Sequence, residues 1–135
     1  MNWKLIFQLS LFGLFMAIAT VFWIPSSIEP AFWALIFVFC AYVIAKRCQA
    51  NYFLHGLLVS VLNSVWITAM HVAFYQSYLE NHPKEAAMMA DMPMPASPRL
   101  MMLLTGPVVG IVSGLILGLF ALIASKLLKR TAATT

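Results

Sequence analysis

Long apolar stretches alternate with short polar connections along this chain, and the pattern predicts membrane-spanning helices at about 5–24, 31–47, 52–79 and 99–125. Each run suffices for a crossing, because about 20 residues at a rise of 1.5 Å traverse a hydrocarbon core of about 30 Å. The second is the shortest, and Lys46 and Arg47 at its end can snorkel to the interface. Backbone groups in lipid must bond within their own segment, so the runs read as helices and not as strands. The expectation is one transmembrane domain over 1–135, an all-α integral membrane four-helix bundle with a short outer hairpin and a longer outer loop over 80–98.

Composition removes the main competing class. Hydrophobic residues make up 63% of the chain and charged residues 9%, too few charges to cover the surface of a soluble domain. The charges that remain are segregated. Lys4, Lys46, Arg47, Lys126, Lys129 and Arg130 fall beside one set of span ends, whereas Glu29, Glu80, Glu85 and Asp91 fall beside the other with Lys84 and Arg99. The positive-inside rule then puts both termini in the cytoplasm, an N-in/C-in protein of a bacterial-type inner membrane. Trp3, Trp23, Trp33, Tyr52, Tyr75 and Tyr78 lie near span ends, as an aromatic belt requires. The first span reads as retained: its apolar run is longer than a signal-peptide core, and Trp23-Ile24-Pro25-Ser26-Ser27 offers no small-x-small cleavage site. The net charge of +4 reads as topology, with the lipid bilayer as partner and no nucleic acid.

The connections carry stop and start signals. Pro25 to Pro30 forms the outer hairpin, and Ser97-Pro98 opens the fourth span with Ser97 as cap and Pro98 at the first helical position. Within the outer loop, Pro83 to Met92 predicts a short helix turning Met88, Met89 and Met92 to one side, toward the membrane surface.

Span four carries the strongest local pattern. Gly106, Gly110, Gly114 and Gly118 recur every four residues, which places them on one helix face and cuts a groove for close approach of another backbone. The groove receives span one or three of the same chain, the same helix of a second copy, or a ligand; the intramolecular reading is preferred because a small bundle packs its own helices first. Gly13 and Ala17, with Ser10 and Thr20, form a narrower small-residue seam on span one. Pro107 removes a backbone donor and predicts a kink, where the Thr105 hydroxyl can satisfy local carbonyls.

Span three carries a polar stripe. At 100° per residue, Gly56, Ser60, Asn63, Ser64, Thr68, His71, Tyr75 and Tyr78 share one broad face, while His55 points nearly opposite. Intramembrane polar groups normally face the bundle interior, so the stripe marks the buried side of span three. It reads first as interhelical hydrogen bonding and second as a path or pocket built on Asn63, Ser64, Thr68, His71 and Tyr75. No carboxylate accompanies it inside the membrane. The small four-span multidrug exporters carry one in their first span, and this chain departs from them there.

Metal and redox chemistry have weaker support. Met88, Met89, Met92 and Met94 with His82 are soft candidate ligands, but methionine is also an ordinary interfacial apolar residue. Cys40 lies inside span two and Cys48 on the cytoplasmic side, so they offer no outward thiol pair. Glu80, Glu85 and Asp91 read as loop acids without a partner histidine on a rigid element, and no nucleotide or hydrolase motif occurs. The sequence implies no cofactor and no catalysis. The expected role is a small accessory or oligomeric membrane subunit that associates with other membrane proteins or its own copies. The alternative is a small-solute or metal-ion transporter using the stripe of span three.

Overall fold

The computed structural model describes residues 1–91 and 97–132, with side chains described as far as Lys129. These residues form six helices and no strand: α1 (Trp3–Phe22), α2 (Glu29–Arg47), α3 (Tyr52–Ala73), α4 (Tyr75–Asn81), α5 (Pro83–Ala90) and α6 (Pro98–Ala132). Of these, α1, α2, α3 and α6 are long and apolar enough to cross a membrane, which makes the chain a multi-pass membrane protein. Below, the basic end is the end holding Lys4, Arg47 and Lys129; the acidic end holds Glu29, Glu80 and Glu85.

Each helix starts for a local reason. Asn2 caps α1, its Oδ1 accepting from the Leu5 amide at 3.1 Å. Pro30, Pro83 and Pro98 sit in the first turns of α2, α5 and α6, where a missing N–H costs nothing. Glu29 in the first turn of α2 and Lys46 and Arg47 in its last turn both complement the helix dipole. The turn into α3 is closed by Asn51 in the left-handed region (φ 56°), a conformation that asparagine tolerates better than most residues.

The stretch 52–79, expected to be one span, is two helices. Phe74 departs from helical geometry (φ −107°, ψ 39°), so α3 ends at Ala73 and α4 begins at Tyr75. Nothing in the local sequence marks this break, which has neither glycine nor proline. At the other extreme α6 stays helical through Pro107 for 35 residues, about 52 Å by helix rise, and so outruns a hydrocarbon core of about 30 Å.

The helices are arranged in the order α1, α3, α6, α2: α3 packs extensively on both α1 and α6, while α2 packs chiefly on α6. A main apolar core near the basic end joins Leu5, Ile6 and Leu9 of α1, Ala41 and Ile44 of α2, Val59 of α3, and Leu117 and Ala121 of α6. A smaller cluster of Val21, Tyr78 and Met102 closes the acidic end. Between them lies a buried polar layer containing Ser10, Ser60, Asn63 and Ser64.

Candidate functional site

The polar residues of α3 face two neighbouring helices. Ser64 and Thr68 meet α6, where a Cβ added at Gly110 would lie 2.6 Å from the Ser64 Cβ and one at Gly106 would lie 3.1 Å from the Thr68 Cβ. Asn63 meets α1, and a Cβ on Gly13 would lie 2.6 Å from its Oδ1 and 2.7 Å from its Cα. His71 also reaches α1, with Nε2 3.2 Å from Thr20 Oγ1. The Thr20 hydroxyl donates to the Ala17 carbonyl at 3.1 Å, so the bond to His71 is completed by Nε2–H donating, an assignment made from the network. Tyr75 is half-buried against the Val21–Tyr78–Met102 cluster, with the Arg99 guanidinium 5.5 Å from its ring centre.

All four regularly spaced glycines of α6 lie against α3 of the same chain. Gly106 meets Thr68, Gly110 meets Ser64, Gly114 meets the backbone of Leu57, and Gly118 meets Phe53. Gly56 of α3 completes the seam, since a Cβ there would come within 2.8 Å of the Gly118 Cα. Here two backbones approach each other with no side chain between them. On the other side of α3, Ala17 is fully buried in α1 and the Trp66 indole donates to Ser10 Oγ at 3.2 Å. Thr105, two residues before Pro107, donates to the Met101 carbonyl at 2.9 Å.

Asn63 is the exception in this layer. It is 2% exposed, yet neither Nδ2 nor Oδ1 has a hydrogen-bond partner among the described residues. An unpartnered buried amide costs about 1–3 kcal/mol, so packing alone does not account for an asparagine at this position.

At the acidic end the structure assembles a group that the sequence reading scattered. The rings of His71 and Tyr78 stack at 4.0 Å between centroids, and Tyr78 stacks in turn on His82 at 4.3 Å. His82, a candidate ligand of the outer loop, is fully buried. It sits in the one-residue break between α4 and α5, and its Nδ1–H donates to the Tyr78 carbonyl at 3.0 Å. With Nδ1 protonated, Nε2 presents a lone pair toward Glu29 Oε2, 3.8 Å away. Two acceptors thus face each other. Glu29 Oε1 is fixed by the Trp33 indole at 3.1 Å, and Glu85 accepts from Ser26 at 3.0 Å, so the acids here are held on ordered elements. Ring stacking binds faces and leaves proton-carrying edges apart, so the column is cohesive and not a continuous hydrogen-bonded wire.

The two described methionines of α5 part from each other. Met88 is 65% exposed, whereas the adjacent Met89 packs on the Val21–Tyr78–Met102 cluster, because successive residues on a helix diverge by about 100°. The expectation that they share one side fails for this pair, and Met92 and Met94 lie outside the described residues. Among the described residues no three His, Cys, Asp or Glu side chains are grouped to hold a metal ion.

His55, unassigned in the sequence reading, anchors the amino terminus. Its Nε2 accepts from the Asn2 amide at 3.0 Å and its Nδ1–H donates to the Asn51 carbonyl at 2.8 Å, so both ring nitrogens are engaged. This joins residues 53 positions apart, and no local pattern signals it.

Comparison with family models, with curated proteins and with solved structures finds no match to this chain.

Proposed function

We propose that this chain is a non-catalytic subunit of a bacterial-type inner membrane that works by association within the bilayer, with its basic end toward the cytoplasm. The orientation rests on the basic residues, six of eight of which belong to one end, under the positive-inside rule. The single observation that supports the role is the disposition of the α3 stripe. Gly56, Asn63, Ser64, Thr68 and His71 are set against α1 or α6, the disposition expected of residues that hold helices together. Purification of the full chain in a mild detergent, followed by native mass spectrometry, tests this. A defined oligomer or a stoichiometric membrane partner is expected; a solitary monomer that moves solute in liposomes would refute it.

A second reading is favoured by two particular groups, the unpartnered Asn63 and the facing His82 and Glu29 acceptors. An amide oxygen and a carboxylate are oxygen ligands of the kind that small hard cations take. Flux of protons and monovalent cations into liposomes, lost in Asn63→Leu and in Glu29→Gln while assembly is retained, is the outcome that would promote it. Absence of flux in the wild type would eliminate it.

A further inference from the structure

At the basic end, α1 and α2 part to leave a cleft of about 620 Å³. Its walls are two helical stripes. Lys4 and Gln8 are one turn apart on α1 beside Leu9; Phe39, Val43 and Arg47 follow at four-residue intervals on α2. Along each wall the chemistry changes with depth. The cations Lys4 and Arg47 lie at the helix ends, Gln8 lies about 6 Å further in, and Phe39 lies about 12 Å in from Arg47. Among the described residues neither cation pairs with a carboxylate, and every acidic side chain of the protein belongs to the other end of the bundle.

We infer that this cleft binds one anionic phospholipid. Its phosphodiester sits between the Lys4 ammonium and the Arg47 guanidinium, Gln8 donates to the ester region, and an acyl chain runs along Leu9, Val43 and Phe39. Three observations select this occupant over a helix of another protein. The paired cations call for an anion, the apolar floor calls for hydrocarbon, and the order in which they occur is that of a lipid from headgroup to tail. Basic pockets between membrane helices have this affinity for phospholipid headgroups in general, with roughly a fivefold gain in binding for each cation near the surface. Lys126 and Lys129 also lie at the basic end, but neither lines the cleft, and Lys129 is stationed over the Tyr52 ring. The inference needs only that the chain spans a bilayer, and holds whichever face the basic end adopts and whether or not the protein acts by association.

The test uses the full chain, stripped of lipid in detergent and titrated with phosphatidylglycerol, phosphatidylcholine or inorganic phosphate while native mass spectrometry counts adducts. Wild type is expected to retain one phosphatidylglycerol in preference to phosphatidylcholine. Lys4→Gln and Arg47→Gln should each weaken that retention about fivefold, whereas Lys126→Gln, which removes the same charge elsewhere on the same end, should not. Val43→Trp, which fills the cleft without changing charge, should also displace the lipid. A thermal melt of each variant verifies the fold; Lys4, Arg47 and Lys126 are exposed, and Val43, which borders the main core, is the variant for which the melt decides whether loss of lipid is read as loss of the cleft. Equal retention of the two lipids, or equal losses in Lys4→Gln and Lys126→Gln, would overturn the site. Displacement of the lipid by inorganic phosphate would overturn it as well, since the cleft would then recognise a free anion.

Discussion

A Cβ is the smallest addition that tests a helix contact, and the glycines of this chain differ in what that atom would meet. At Gly13 and Gly56 it would strike the backbone of Asn63 and of Gly118, at 2.7 and 2.8 Å, and backbone does not swing aside. At Gly114 the nearest atom is 3.0 Å away, so a small adjustment suffices. Gly13→Ala and Gly56→Ala are therefore expected to lower stability by about 1–3 kcal/mol and Gly114→Ala by less, a ranking readable from thermal unfolding in detergent. Equal melting of all three would mean that α3 does not meet its neighbours this closely. Asn63 calls for the opposite substitution. Since neither end of its amide has a partner, Asn63→Leu should be neutral or stabilising, whatever it does to activity, and a clear loss of stability would show that the amide is bonded after all. The face on which Asn63 lies was readable from helical periodicity. Its lack of a partner was not, because that depends on a glycine 50 positions earlier in the chain. The same applies to His55, whose partner Asn2 belongs to another helix start.

Between elements, the acidic end is joined by rings and one amide. Tyr78 lies between His71 of α3 and His82 at the start of α5, so Tyr78→Leu removes two stacking contacts while His71→Gln removes one. At about 0.5–1.5 kcal/mol for each contact, Tyr78→Leu should cost more than His71→Gln, and hydrogen exchange in α4 should rise more in the first. Similar exchange in both would mean that the column does not hold α4. Asn81 adds a cap, its Nδ2 donating at 2.7 Å to the Val21 carbonyl in the last turn of α1. That carbonyl is among those a helix terminus leaves without a partner, so Asn81→Ala is expected to cost about 0.5–1.5 kcal/mol, measured by thermal unfolding, and a wild-type melt would dismiss the cap. At this scale the long helices were legible because apolar runs of membrane length admit few alternatives. The break at Phe74 was not, because it carries no punctuating residue; there the Phe74 ring meets Phe22 at the end of α1 edge-on, 5.6 Å between centroids, a contact with a residue 52 positions earlier.

For the whole molecule, sidedness has a direct assay, but neither natural cysteine is a good reporter: Cys40 is buried inside α2. Cys48 is buried and burial pushes its thiol up, partly offset by the nearby amino terminus, so it would resist alkylation on either side of a membrane. In a Cys48→Ser background, impermeant reagents on intact cells are expected to label Ala90→Cys and to spare Ala50→Cys, both at exposed positions; the reverse pattern would invert the topology. The arrangement of helices carries one more consequence. Only Cys40, Ala41 and Ile44 of α2 are buried, and its main seat is on α6. During synthesis α2 leaves the ribosome well before α6, the surface that receives it. Until then α1 and α3 can already pair, but α2 has little to hold it except lipid. Assembly of this bundle thus has a built-in waiting period, which ends when α6 captures α2. A ribosome that stalls before Pro98 would leave a product with α1 and α3 joined and α2 adrift, the state that membrane quality control would have to recognise.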